Sequence, residues 1–157
     1  MSKATRATAA LQKAGVLFSV CTYNYDPDAG QIGLQAAEAL GEDPARVLKT
    51  LMAGVDGRPV SAIVPSDREV SMKRLAAAFG GKSAWMLAPA EAERITGYVV
   101  GGISPFGQKR RCPVAIEEGA LAHERVYING GQRGVQLHLS PKDAARFLQA
   151  VVTSLAS

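Results

Sequence analysis

Apolar and polar residues along this chain repeat with two periods, and the changes from one to the other mark its elements. Residues 4–14 carry Ala7, Ala10, Leu11 and Ala14 at helical spacing and stop at Gly15. Phe18-Ser19-Val20-Cys21-Thr22-Tyr23 then alternates as a strand does, and Asp26-Pro27-Asp28-Ala29-Gly30 is a turn. A second helix is predicted over residues 34–40, ended by Gly41, with Pro44 opening another short helical turn. Residues 47–55 and 60–64 read as two strands joined through Asp56-Gly57, residue types that suit a tight hairpin, and this hairpin is expected at the centre of the sheet. Residues 71–79 are helical up to Gly80-Gly81, and residues 90–95 after Pro89 form a further short helix. Strands are predicted again at 98–100, 114–116, 126–128 and 135–139. Ser140 caps a last helix that begins at Pro141 and continues through Phe147, Leu148 and Val151. Strands and helices without a regular βαβ alternation imply a mixed sheet in an α/β (α+β) domain.

At 157 residues the chain is read as one domain, residues 1–157. A chain of this size buries roughly 70% of its unfolded surface, so a core needs no metal or disulfide staple. With 47% hydrophobic and 20% charged residues, neither disorder nor a membrane protein is indicated. No apolar run approaches the roughly 20 residues that span a bilayer. Met1-Ser2-Lys3-Ala4-Thr5-Arg6 does not open a secretory signal, so a cytoplasmic protein is expected. Cys21 and Cys112 are read as free thiols used for packing. His123 and His138 lack a second ligand at metal-site spacing, so no metal and no cofactor are expected. The net charge of +4 favours a polyanionic partner, and the excess is partly local, at Lys109-Arg110-Arg111 and Lys73-Arg74. On charge alone each cluster is equally a solvated face.

Two features carry candidate chemistry. Lys49 lies inside an apolar strand, where alternation puts it on one face with Val47 and Leu51. A lysine there either faces water at a sheet edge or lines a cavity with an anionic partner, because an unpaired buried ammonium costs several kcal/mol. The second feature is Gly97-Tyr98-Val99-Val100-Gly101-Gly102-Ile103-Ser104-Pro105-Phe106-Gly107, with Gly130-Gly131-Gln132-Arg133-Gly134 as a weaker echo. Glycine-rich turns expose backbone N–H groups to phosphates or developing oxyanions, though a purely structural turn accounts for them equally. Neither a Walker loop, a dinucleotide fingerprint nor a Gly-x-Ser-x-Gly elbow is present, and no strong protein nucleophile is marked. An activated ester needs none, since oriented water or the substrate itself can attack it.

Four ordered segments together resemble the YbaK family of aminoacyl-tRNA deacylases, relatives of the editing domain inserted in bacterial prolyl-tRNA synthetases. They are Thr22-Tyr23 before Asp26-Pro27, Val47-Leu48-Lys49-Thr50-Leu51, the stretch from Thr96 through Lys109, and Gly130-Gly131-Gln132-Arg133-Gly134. The resemblance implies a barrel-like fold of one mixed sheet. It implies trans-editing hydrolysis of the ester joining an amino acid to the tRNA 3′ end, with Cys-tRNA(Pro) as the nearest substrate and the substrate's thiol as attacking group. Lys49 would be the catalytic cation. Tyr23, Ile32, Thr50, Gly101, Gly102, Ile103, Ser104, Gly131 and Gln136 would bind the substrate, and Lys109, Arg110, Arg111 and Arg133 would contact tRNA. Misacylated tRNA is the implied partner, with prolyl-tRNA synthetase a second, weaker one. Relatives often carry an aromatic residue at Ile32 and an acidic one at Gln136, so another small amino acid, or a module that binds tRNA or a nucleotide without turnover, remains an alternative.

Overall fold

The computed structural model describes residues 4–28 and 32–157; at positions 32 and 33 it describes backbone only. The chain begins with helix α1 (Arg6–Lys13), whose cap is reciprocal: Thr8 N–H donates to Thr5 Oγ1 at 3.1 Å and Thr5 N–H to Thr8 Oγ1 at 2.8 Å. Strand β1 (Ser19–Thr22) and helix α2 (Ile32–Leu40) follow, then a 3-10 turn at Pro44–Arg46. Strands β2 (Leu48–Val55) and β3 (Arg58–Pro65) form the expected hairpin. Its turn places Asp56 at φ 49° and Gly57 at φ 86°, the left-handed pair that an Asp-Gly connection favours. Next come α3 (Met72–Ala78), β4 (Ala84–Met86), α4 (Pro89–Thr96), β5 (Val114–Glu117), β6 (Val126–Asn129), β7 (Val135–Leu139), α5 (Pro141–Leu148) and β8 (Val151–Thr153).

The strands form two sheets, a five-stranded one in the order β4-β2-β3-β5-β8 and a three-stranded antiparallel one in the order β1-β7-β6. A parallel bridge between Val47 and Tyr127 joins them, so the mixed sheet is built as two pieces wrapped around a shared interior. Phe106, Leu11, Leu48, Ile63, Ile116, Ile128, Leu137 and Leu139 fill that interior with almost no exposure.

Three elements differ from expectation. Residues 98–100 are not a strand: Gly97 ends α4 at φ 80°, the Tyr98 phenol donates to the Phe106 carbonyl at 2.6 Å, and Gly102 N–H closes a turn on Val99 O at 2.8 Å. With the backbone curled on itself, no partner strand is available to Val99 and Val100, which stay exposed. The last helix ends earlier than expected, at Gln149 with φ 53°, and Val151 instead begins β8, which runs parallel to β5. Strand β4 is an addition; it pairs with β2 only over Ala53–Met86, Gly54–Trp85 and Val55–Ala84.

Candidate functional site

The short reach of β4 creates the site. Along one side β2 is paired with β3 over its whole length, but on the other side β4 departs after Leu87 N–H donates to Met52 O at 3.1 Å. Upstream, β6 is joined by the single parallel bridge Val47–Tyr127, just before β2 begins. Among the described residues no strand pairs with residues 48–52 on that side, and a cavity of about 400 Å³ wraps around this edge. Because it wraps an edge, it reaches side chains from both faces of β2. Lys49 and Leu51 share the face of Met86, the register partner of Ala53, while Met52 packs on the opposite face with Leu87, Ala92 and Ile103. Gly101, Asn129 and Gln136 close the far wall. The volume lies at the lower end of the ~300–1,000 Å³ range of small-molecule sites.

Lys49 is the cavity's cation. Its side chain is 22% exposed, and Nζ stands 3.8 Å from Glu69 Oε1, on a side chain that is 78% exposed. So open an ion pair contributes at most about 1 kcal/mol, so the ammonium can exchange this partner for an anionic or strongly dipolar guest.

Three polar atoms are buried here: Thr50 Oγ1, which has no hydrogen-bond partner among the described residues, and Gln136 Oε1 and Tyr23 Oη, whose side chains stand against each other so that the amide and the phenol can pair. Thr50 and Gln136 line the cavity. Tyr23 stands behind Gln136, held by its N–H to Gly134 O at 3.0 Å. Burial raises the Tyr23 phenol above its ordinary value, while the neighbouring Gln136 amide pulls the other way, so the group stays protonated and able to donate. A buried polar atom without a partner costs about 1–3 kcal/mol, the cost that Thr50 Oγ1 carries here.

The glycine loops are arranged differently from a simple amide cradle. They dock on each other backbone to backbone: a Cβ at Gly102 would lie 2.8 Å from Arg133 N and 2.9 Å from Gln132 C. At Gly131, φ 93°, a Cβ would lie 2.7 Å from the Tyr98 ring. Asn129 clamps the two loops, donating through Nδ2 to Gly101 O at 3.3 Å and accepting from Gly131 N–H through Oδ1 at 2.7 Å. Gly101 and Ile103 line the cavity, whereas Gly102, Gly131 and Ser104 do not. Ser104 is fully buried, its Oγ accepting from Phe106 N–H at 3.2 Å and its carbonyl from Gln108 Nε2 at 3.0 Å. The side chain of Ile32 lies outside the described residues.

The basic residues divide. Arg133 is at the rim, its Nε donating to Val100 O at 2.9 Å and its guanidinium 5.4 Å from the Tyr25 ring centroid. Lys109 and Arg110 are exposed beyond the end of α4, their N–H groups donating to Thr96 O and Ile95 O. Arg111 turns to Gln149 Oε1 at 3.0 Å, beside a separate hollow. Asn129, Glu69 and Met86 were not singled out from sequence; an Asn directly before Gly130-Gly131 was the available signal for the first. Both cysteines are free and outside the cavity lining. Among the described residues no group of three or more His, Cys, Asp or Glu could hold a metal, and no helix is long and apolar enough to cross a membrane.

The sequence profile of the aminoacyl-tRNA editing domain matches residues 26–147, most of the chain and every segment that builds the cavity. The chain belongs to this editing-domain family. Over 107 residues it is 38% identical to EbsC of Enterococcus faecalis, a proposed Cys-tRNA(Pro)/Cys-tRNA(Cys) deacylase, covering 68% of the chain and 65% of that relative. It thus spans about two thirds of EbsC. Over 148 residues it is 33% identical to the multifunctional Ser/Thr-tRNA deacylase ProXp-y of Escherichia coli K12, covering 92% of the chain and 87% of the relative. Among solved structures, a proposed trans-editing enzyme for prolyl-tRNA synthetase superposes with a TM-score of 0.82 at 21% identity, over 97% of the chain and 95% of the other. The editing-domain fold and the expected YbaK kinship are therefore both established.

Proposed function

We propose that this editing-domain protein is a trans-editing aminoacyl-tRNA deacylase that hydrolyses the ester of tRNA charged with a wrong, small amino acid. The observation that carries the reading is a cation without a firm partner, Lys49, on the edge of a small cavity closed opposite by Gly101, Asn129 and Gln136. That edge suits an ester carbonyl: as an attacking oxygen or sulfur bonds to the carbonyl carbon, negative charge grows on the carbonyl oxygen and the ammonium stabilises it. Gly101 and Ile103 form part of the wall against which the acyl group rests in this reading. The bond to the 3′ ribose oxygen then breaks and that oxygen takes up a proton, releasing tRNA. No protein nucleophile is needed. Of the hydroxyls at the cavity, Ser66 Oγ is committed to Pro44 O at 3.1 Å.

The resemblance and the EbsC match favour cysteine as the amino acid, with its thiol as attacking group; the ProXp-y match favours serine or threonine. In either case Arg133 at the rim and Lys109 and Arg110 beyond α4 contact the acceptor end in this reading, and prolyl-tRNA synthetase is a transient partner in the cytoplasm. Single-turnover hydrolysis of Cys-, Ser- and Ala-tRNA(Pro) tests the proposal, with Lys49→Ala beside the wild type. Loss of an oxyanion-type partner costs roughly 10²–10³ in rate, and that loss is the expected result for the variant. Failure to hydrolyse any misacylated tRNA at micromolar enzyme overturns the proposal, and tight binding without turnover would point to the binding module instead.

A further inference from the structure

Among the described residues the cavity is lined by one cation, Lys49, and one carboxylate, Glu69. The main chain at Glu69 is strapped down: Glu69 O accepts from Ser157 N–H at 2.9 Å, Val70 bridges antiparallel to Ala156, and Ser71 N–H donates to Leu155 O at 2.7 Å. The carboxylate itself is loose. It is 78% exposed and makes no hydrogen bond among the described residues, with only Lys49 Nζ near it at 3.8 Å. A fixed backbone thus presents a free negative charge at the cavity, directly beside a positive one. The acyl end of a charged tRNA carries the matching pair. It has an α-amino group, which takes up a proton near neutral pH, and two carbons away a carbonyl oxygen on which negative charge grows during attack.

We infer that Glu69 is a specificity-determining residue that binds the α-ammonium of the aminoacyl group while Lys49 faces the carbonyl oxygen, so that the site selects esters of free amino acids over esters lacking that charge. The inference rests on the deacylase reading above. Each member of the open ion pair holds the position that the substrate's opposite charge takes. The α-ammonium replaces Lys49 beside Glu69, and the carbonyl oxygen replaces Glu69 beside Lys49. An uncharged α-substituent cannot make this exchange. Glu69 then keeps Lys49 as its partner and draws the ammonium away from the growing oxyanion. Leu51 and Met86, apolar and on the Lys49 face, keep water from screening the lysine fully. Esters of peptides and of formylated amino acids carry an amide in place of the ammonium, so the same device spares them.

The test takes the intact protein and whichever of Cys-, Ser- and Ala-tRNA(Pro) it hydrolyses fastest. Beside that substrate stand its N-acetylated form and a form with hydroxyl in place of the α-amino group, which keeps the size and loses the charge. An α-ammonium also activates its own ester, so each single-turnover rate is divided by the spontaneous rate of the same ester in buffer. The amino form should lead both others by about three- to tenfold, as suits a charge-assisted hydrogen bond that solvent partly screens. Glu69→Gln should slow the amino form and bring it within about twofold of the hydroxy form, while Glu69→Asp, which keeps the charge, should retain part of the preference. The exposed side chain and its open ion pair contribute little to stability, so both variants fold. Equal normalised rates for the amino and hydroxy forms on the wild type, or a Glu69→Gln variant that slows both alike, overturn the inference and leave the deacylase reading standing. Hydrolysis of none of the charged tRNAs overturns the deacylase reading itself.

Discussion

Gly102→Ala isolates what the glycine loops do. Gly102 is not in the left-handed region, so an added methyl brings no backbone strain, only contact. That contact is with backbone: 2.8 Å to Arg133 N and 2.9 Å to Gln132 C, where ordinary van der Waals contact begins at 3.4 Å. Neither atom can swing aside as a side chain does, so the loops must part by about half an ångström or absorb the overlap, a kind of overpacking that costs about 1–3 kcal/mol. For a protein of this size each kcal/mol lowers Tm by roughly 2–4 °C, giving an expected fall of about 2–12 °C. Parting the loops also stretches the Asn129 bond to Gly101 O, already 3.3 Å, and shifts the cavity wall. Single-turnover deacylation should therefore fall by about tenfold or more, as misplacement of a positioning wall does. Gly119→Ala is the control, because its new methyl would meet only Glu117 Oε2 at 3.9 Å. Calorimetry and kinetics on both variants decide the matter: if Gly102→Ala melts and turns over as Gly119→Ala does, the loops are not held at contact and the account of Gly102 is wrong.

Two further outcomes are expected. Arg133→Ala removes the Val100 bond and the guanidinium over Tyr25, and should weaken tRNA binding about two- to tenfold while flattening its salt dependence, measurable by binding titrations at several ionic strengths. At Glu117, burial pushes the carboxyl up, but N–H donors of Ala156, Leu155 and Gly119 outweigh it and hold the group below the ordinary 4.5. A lowered carboxylate pKa contributes stability that is complete above about pH 4.5 and is lost as pH falls through the lower folded-state value. Glu117→Gln should thus be less stable than wild type at pH 7 by roughly 1 kcal/mol after solvent screening, with the gap closing on acidification. Urea unfolding across pH measures it, and a gap independent of pH would contradict the assignment.

What could be read from sequence was what local chemistry decides. The β2–β3 hairpin was legible because Asp56 and Gly57 occupy left-handed positions that few other residue pairs tolerate. The α5 start was legible for a similar reason, Ser140 capping and Pro141 needing no donor. Strands β4 and β8 were not, since three residues declare themselves a strand only through the neighbour they pair with. The site divides along the same line. Lys49 stood out as a cation in an apolar run, and the cavity does bring it to Thr50, Gly101, Ile103 and Gln136. Asn129, Glu69 and Met86 reach the same cavity from three other segments, and their roles exist only once β4 has left the edge of β2.

The glycines show why a motif can be found correctly and explained incompletely. Their spacing announces a backbone that must come close to something, and a ligand was the natural candidate. Much of that closeness is spent within the protein: Gly102 meets the 130–134 loop, Gly131 meets Tyr98, and Gly134 meets the Tyr23 carbonyl at 2.6 Å from a built Cβ. Each contact sits one step from the cavity, and each positions a residue that lines it or backs it, namely Gly101, Asn129 and Gln136 with Tyr23. Substitution at these glycines should therefore act on turnover through the placement of the wall, while substitution at Lys49 should act on the chemical step. The two classes are separable by measuring stability beside turnover, because a displaced wall at Gly102 lowers Tm as well as rate, whereas Lys49 is held only in an open ion pair whose loss costs little stability.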